Sequence, residues 1–259
     1  MPFAELPSKP GAPLAYDIIG NITTSNLLIV VINGLGLPAA SWQPTASLLQ
    51  GSQLPFQLSM LLYDRYGQGA TTARDPLDQT AGREEGYGHD LNDAVTDLHE
   101  LLGMFAVATG VPRRIVFVSA SVGVHIARLF AGKYPDVVTA HVFLDSNIGN
   151  VEYTDMIPDP RSSNFHESEV VAEDCTIEQF KDVVVKVGKM FNSDVKNPEG
   201  LDRRNVKNLL PDPSQPKLRG PGGETSWLVV VGHDPVQFEE ENTGMMGTPR
   251  SLTRKFFQP

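Results

Sequence analysis

Four short runs of Val, Ile and Leu constrain this chain more than any other feature: "LLIVVI" (27–32), "RIVFVS" (114–119), "AHVFLD" (140–145) and "SWLVVV" (226–231). Each is apolar at successive positions and bounded by Gly, Asn or Asp. A strand of that kind needs cover on both faces, which is the habit of a parallel sheet sandwiched between helices. A fifth run, "FQLSMLLYD" (56–64), fits the pattern less cleanly. Helical spacing falls between them, at about 40–50, 88–109 and 122–134, the last with Val122, Ile126, Leu129 and Phe130 on one stripe. The alternation of strand and helix gives the expectation of an α/β fold with a mostly parallel sheet.

The stretch from Asn147 to about Thr225 interrupts that rhythm with "IPDPRSSN" and "LLPDPSQPKLRGPGGE". Two helices are expected in it. One is "TIEQFKDVVVKVGKMF" (176–191), where Thr176 and Gln179 have capping-box spacing, and the other lies near 198–210 with Pro198 in its first turn. The domain expectation is therefore a core of residues 1–146 and 226–259 with residues 147–225 as a lid or cap insertion. "TPRSLTRKFF" (248–257) reads as a closing helix.

With 259 residues, 31 acidic side chains against 21 Lys and Arg, and a formal net charge of −10, the average field repels phosphate backbones and anionic lipid. Nucleic acid and membrane are excluded as expected partners, and no apolar run approaches the roughly 20 residues of a membrane span. The one cysteine, Cys175, cannot make an internal disulfide. The N-terminal "MPFAELPSKPGAP" has no basic start followed by an apolar run, so a soluble, cytoplasmic setting is expected. There is no C-x-x-C, no H-E-x-x-H, no G-x-G-x-x-G and no P-loop, hence no expected metal or cofactor.

The chemistry-bearing stretch is "SASVG", Ser119 to Gly123, between a strand and a helix. A G-x-S-x-G turn lifts a serine hydroxyl out of the sheet and aims backbone N–H groups at a developing oxyanion, so its flanking residues must be small. Here Ser119 replaces the first Gly, and Ser121 is the candidate nucleophile. "INGLGLPAASW" (32–42) and "YDRYGQGAT" (63–71) precede it, and "VFLDS" (142–146) follows. In this order the segments resemble the oxyanion loop, the D-x-x-G-x-G loop, the nucleophile elbow and the following strand of the α/β-hydrolase superfamily, in particular fungal members with a serine nucleophile.

That resemblance covers about residues 14–257 and implies an α/β-hydrolase fold with a lid. It puts the oxyanion donors at the backbone N–H groups of Leu35 and Val122, and the acid at Asp234 or, as in some relatives, at Asp145. Asn33 stands where relatives often carry His. The superfamily order of Ser, acid, His places the base near the C-terminus, but none of the six histidines, His89, His99, His125, His141, His166 and His233, follows residue 233. The expected fold is thus C-terminally shortened, without the final His loop. His233 flanks the acid position and His166 lies in the lid; His125 is expected to pack inside, His89 and His99 to lie on an exposed helix, and His141 to begin a strand. The implied activity is hydrolysis of an ester, thioester or lactone of a small apolar metabolite, in fungal secondary metabolism. The alternative is a hydrolase-fold cyclase, isomerase or binding protein without a complete triad.

Overall fold

The computed structural model describes residues 1–80, 82–106, 113–146 and 149–257. They form two compact units, Met1–Ser146 with Lys196–Val231, and Asn147–Val195 with Gly232–Pro259. Residues 196–225, inside the span expected as an insertion, belong to the first unit.

The first unit is built on a seven-stranded sheet in the order β1-β2-β4-β3-β6-β7-β9. Its strands are β1 (Phe3–Glu5), β2 (Pro13–Ile19), β3 (Leu27–Ile32), β4 (Ser59–Tyr63), β6 (Arg114–Ala120), β7 (Val138–Leu144) and β9 (Trp227–Val231). β1, β2 and β4 are joined antiparallel, and every pairing from β4 through β3, β6 and β7 to β9 is parallel. This mostly parallel sheet flanked by helices is the α/β architecture expected from the sequence.

Why the central runs are apolar at every position follows from the two-residue period of a strand. Leu28, Val30 and Ile32 of β3 enter one core with Leu61 and Tyr63 of β4. Val31 of β3 enters another with Met60 and Leu62 of β4. The first core is covered by α2 (Leu91–Ala106) through Leu91, Ala94, Val95, Leu98, Leu101 and Leu102, and by α3 (Val122–Lys133) through Val124, Ile126, Ala127 and Phe130. Phe130 meets Phe117 of β6 edge-on at 5.0 Å. The second core is closed by α1 (Gln43–Gly51) and the 3-10 turn before it, through Ala46 and Ala39.

β9 corrects the expectation of four strands buried on both faces. Trp227, Leu228, Val229, Val230 and Val231 are 79%, 48%, 53%, 69% and 46% exposed. Among the described residues β9 ends the sheet and pairs with β7 alone, so its composition is that of an inner strand in an edge position.

Two further expectations are corrected here. The helix near 198–210 reduces to α5 (Val206–Leu209), because the preceding residues are drawn into tertiary pairing. Leu201–Asp202 (β8) pairs in parallel with His89–Asp90 (β5), and the Asn197 side chain bonds both the N–H and the carbonyl of Leu201. His89, expected on an exposed helix, is buried in β5 with Nδ1 2.8 Å from Asp78 Oδ1, and α2 begins only at Leu91.

The second unit has its own core. α4 (Ile177–Phe191) starts at the expected capping box, with Thr176 accepting from the Gln179 N–H and the Gln179 side chain accepting from the Thr176 N–H. Its Phe180, Val183 and Val187 pack with Ile157, Val170, Cys175, Leu252 and Phe257. α6 (Pro235–Met246) and α7 (Arg250–Phe256) are tied by Arg254, whose guanidinium grips Glu239 at 2.6 and 2.9 Å. Among the described residues, no helix is long and apolar enough to cross a membrane.

Candidate active site

Ser121 sits between the carboxyl end of β6 and the first turn of α3, with φ 50° and ψ −125°. A non-glycine residue at positive φ carries strain that surrounding contacts must hold in place. Those contacts are on both sides of the turn. The Ser121 N–H donates to the Leu144 carbonyl at 3.2 Å, and the Ser146 hydroxyl donates to the Ser121 carbonyl at 3.0 Å. Gly123 is dictated by space, since a Cβ there would stand 2.2 Å from the Ile32 carbonyl oxygen and 2.9 Å from that of Asn33. Ser119 is fully buried, and among the described residues its hydroxyl has no hydrogen-bond partner.

Although Ser121 occupies the N-cap position of α3, its side chain makes no capping bond. The side chain is exposed, and among the described residues its hydroxyl has no partner. The positive end of the α3 dipole lies behind it, which favours negative charge at this point. Among the described residues the Val122 N–H, in the first turn of α3, and the Leu35 N–H make no internal hydrogen bond. The loop carrying Leu35 approaches the elbow closely: a Cβ on Gly34 would lie 3.3 Å from the Ser121 Cβ.

That loop is fastened by buried side chains that sequence reasoning did not single out. Arg65 donates from Nη1 to the Asn33 carbonyl at 2.8 Å and from Nη2 to the Gly34 carbonyl at 3.0 Å. Gln68 Nε2 also donates to the Gly34 carbonyl, at 2.9 Å. Glu199 accepts from the Gly36 N–H at 2.6 Å, from Arg65 Nε at 2.8 Å and Nη2 at 3.1 Å, and from Gln68 at 3.1 Å. Asp64 accepts from the N–H groups of Ala39 and Ala70 at 2.6 and 2.8 Å. Burial pulls the Arg65 pKa down, but the Glu199 charge and hydrogen bonds outweigh it and hold the guanidinium above its ordinary value. Arg65 and Gln68 lie inside the glycine loop read from the sequence, whereas nothing around "NPEGLD" marks Glu199 as a partner.

Of the expected catalytic residues, the first unit holds Ser121, Leu35, Val122 and Asp145; the second holds His233 and Asp234. Asp145 follows β7, the strand beside the elbow's own, at φ 39°, with its N–H donating to the Val231 carbonyl at 2.9 Å. Asp234 caps α6, accepting from the N–H groups of Val236 and Gln237 at 3.0 and 2.9 Å. The His233 ring stacks on Phe238 at 3.9 Å. His166 is exposed ahead of a 3-10 turn in the second unit. His125 is buried, as expected from its place on α3. His99 is exposed and stacks on Tyr134 at 3.7 Å. His141 is fully buried between Phe117 and Phe143, and burial lowers its pKa to about 4.

No protein-family model and no curated protein matches the chain. Among solved structures, it is similar to a thermophilic esterase from Thermogutta terrifontis with malate bound, at 18% identity over 100% of both chains and a TM-score of 0.48. The enol-lactonase from Burkholderia xenovorans LB400 is 18% identical over 89% of this chain and 80% of that one, with a TM-score of 0.48. An α/β hydrolase enzyme, MGS-M2, from a Medee basin deep-sea metagenome library is 16% identical over 98% of both chains, with a TM-score of 0.45.

Proposed function

We propose that the chain is a serine hydrolase acting on an ester, thioester or lactone of a small apolar metabolite. The observation that carries this reading is Ser121 at a positive-φ turn, its hydroxyl free of any capping bond, beside two backbone N–H groups that make no hydrogen bond among the described residues. Strain of this kind is maintained where it aims a reactive side chain, and backbone donors aimed at developing negative charge supply the largest share of acyl-transfer catalysis.

In the proposed reaction the Ser121 oxygen attacks the acyl carbon while its proton passes to a base, and the carbonyl electron pair moves onto oxygen between the Leu35 and Val122 N–H groups. Collapse breaks the acyl–oxygen or acyl–sulfur bond, and the leaving group departs with the proton from the base. Water then attacks the acyl carbon as the base takes its proton, the acyl–Oγ bond breaks, the carboxylic acid leaves, and the base returns the proton to the serine oxygen. Asp145 is proposed as the acid, because Ser121, Asp145 and His233 follow the chain order Ser, acid, His; Asp234 is the alternative, although its carboxylate already caps α6. His233 is proposed as the base on that order alone. A fungal secondary-metabolite role and a cytoplasmic setting belong to the same proposal, carried by the sequence resemblance and composition.

The test is covalent labelling by a fluorophosphonate probe, in which the serine oxygen displaces fluoride from phosphorus. Wild type is expected to label at Ser121, and Ser121→Ala not at all. Equal labelling of the two proteins, or none of either, removes this reading and leaves the binding-protein alternative. His233→Ala is expected to slow labelling by about 10³-fold or more.

A further inference from the structure

We infer that Arg65 and Glu199 are positioning residues that aim the Leu35 N–H at the oxyanion, an inference that rests on the serine-hydrolase reading above. The Leu35 N–H and the Gly34 carbonyl belong to one planar trans peptide, in which the two groups point in opposite directions. Whatever holds the Gly34 oxygen therefore sets where the Leu35 N–H points. Two side-chain donors hold it, Arg65 Nη2 at 3.0 Å and Gln68 Nε2 at 2.9 Å, and Arg65 Nη1 holds the neighbouring Asn33 carbonyl at 2.8 Å.

Glu199 completes the clamp. Its carboxylate engages Arg65 through Nε and Nη2, accepts from Gln68, and takes the Gly36 N–H, so the peptides before and after Leu35 are both anchored. All three side chains are at least 95% buried, which keeps water from competing for these bonds. A cationic donor on the Gly34 oxygen also polarises that peptide and strengthens its N–H as a donor toward an anion. The rigid fork of arginine suits this double duty, since one guanidinium reaches two carbonyls and a carboxylate together. Glu199 belongs to the segment of residues 196–231, which lies in the same unit as the loop it anchors.

The test compares wild type with the double variant Arg65→Met/Glu199→Met, which removes both charges and leaves neither buried alone. Two quantities are read on folded protein: kinact and KI for the fluorophosphonate, and amide hydrogen exchange over residues 33–39. The double variant is expected to melt cooperatively, to exchange faster over 33–39, and to lose about 10²-fold in kinact with KI unchanged. A merely structural pair would move the melting temperature without that split. If the wild type labels and the folded double variant labels equally fast, the positioning role is wrong and the hydrolase reading stands. If the wild type does not label, yet exchange over 33–39 rises in the double variant, the hydrolase reading fails while the clamp on the loop stands. Should the double variant not fold, Arg65→Lys carries the same measurement, because lysine keeps the charge beside Glu199 and loses the fork. A fall of about tenfold in kinact is expected, and labelling at the wild-type rate overturns the inference.

Discussion

Ser119 shows how one side chain can depart from a motif and still leave the turn intact. Where the G-x-S-x-G pattern has its first glycine, the hydroxyl of Ser119 is buried inside β6, among the described residues without a partner. A buried hydroxyl that makes no bond costs about 1–3 kcal/mol of desolvation. Ser119→Ala is therefore expected to leave stability unchanged or raise it by up to about 1 kcal/mol, measured by urea unfolding. A loss of more than about 1 kcal/mol would mean that the hydroxyl has a partner. Gly123 stands at the opposite extreme, since the backbone of β3 fills the place of its Cβ. The elbow tolerates a small change at its first position and none at its last, and this asymmetry comes from what packs against each residue.

Among the elements, β9 carries the sharpest consequence. Five consecutive apolar residues at an open sheet edge form the sort of strand that pairs with other chains. Val230→Lys places a charge on the most exposed valine of the strand, where it displaces no packed neighbour. Its expected cost in stability is below about 0.5 kcal/mol, and light scattering at high protein concentration is expected to fall. Unchanged scattering would show that β9 is not the sticky element. α4 and α5 illustrate how far local signals reach. The capping box at Thr176 specified its helix start because all its bonds are made within four residues. The Pro198 signal was overridden because Leu201 found a partner strand 112 positions away, at His89.

For the molecule as a whole, two buried groups act on acid stability in opposite directions. His141 titrates at about 4 in the folded state because burial disfavours its charge; an unfolded histidine titrates near 6.5. Between those values the unfolded chain takes up the proton first, so the ring destabilises the fold progressively as pH drops from about 6.5 toward 4, by about 2 kcal/mol at pH 5. Asp97 opposes it. Burial raises this carboxyl to about 6 against the pull of Lys9, so between about 6 and 3.8 the folded state binds the proton first. His141→Phe, set among Phe117 and Phe143, removes the first contribution and keeps the second. The stability of the variant relative to wild type is expected to rise by about 2 kcal/mol between pH 8 and pH 5, read by urea unfolding at both. A constant difference would mean that His141 titrates normally.

The strands β3, β4, β6, β7 and β9, the elbow and the Thr176 cap were legible in the residues themselves, because periodicity, small-residue turns and capping boxes are specified by neighbours a few positions apart. What lies on the two sides of a strand, or across a buried salt bridge, depends on residues far away in the chain. The runs at 27–32 and 226–231 look alike on paper, yet one is enclosed and the other exposed, because only the sheet order says which strand ends the sheet. In the same way His89 read as a surface residue until β8 paired with its strand. Glu199 comes to fasten the loop at residues 33–36 only because folding carries it across 134 positions to Arg65 and 163 to Gly36, a meeting that no local pattern encodes.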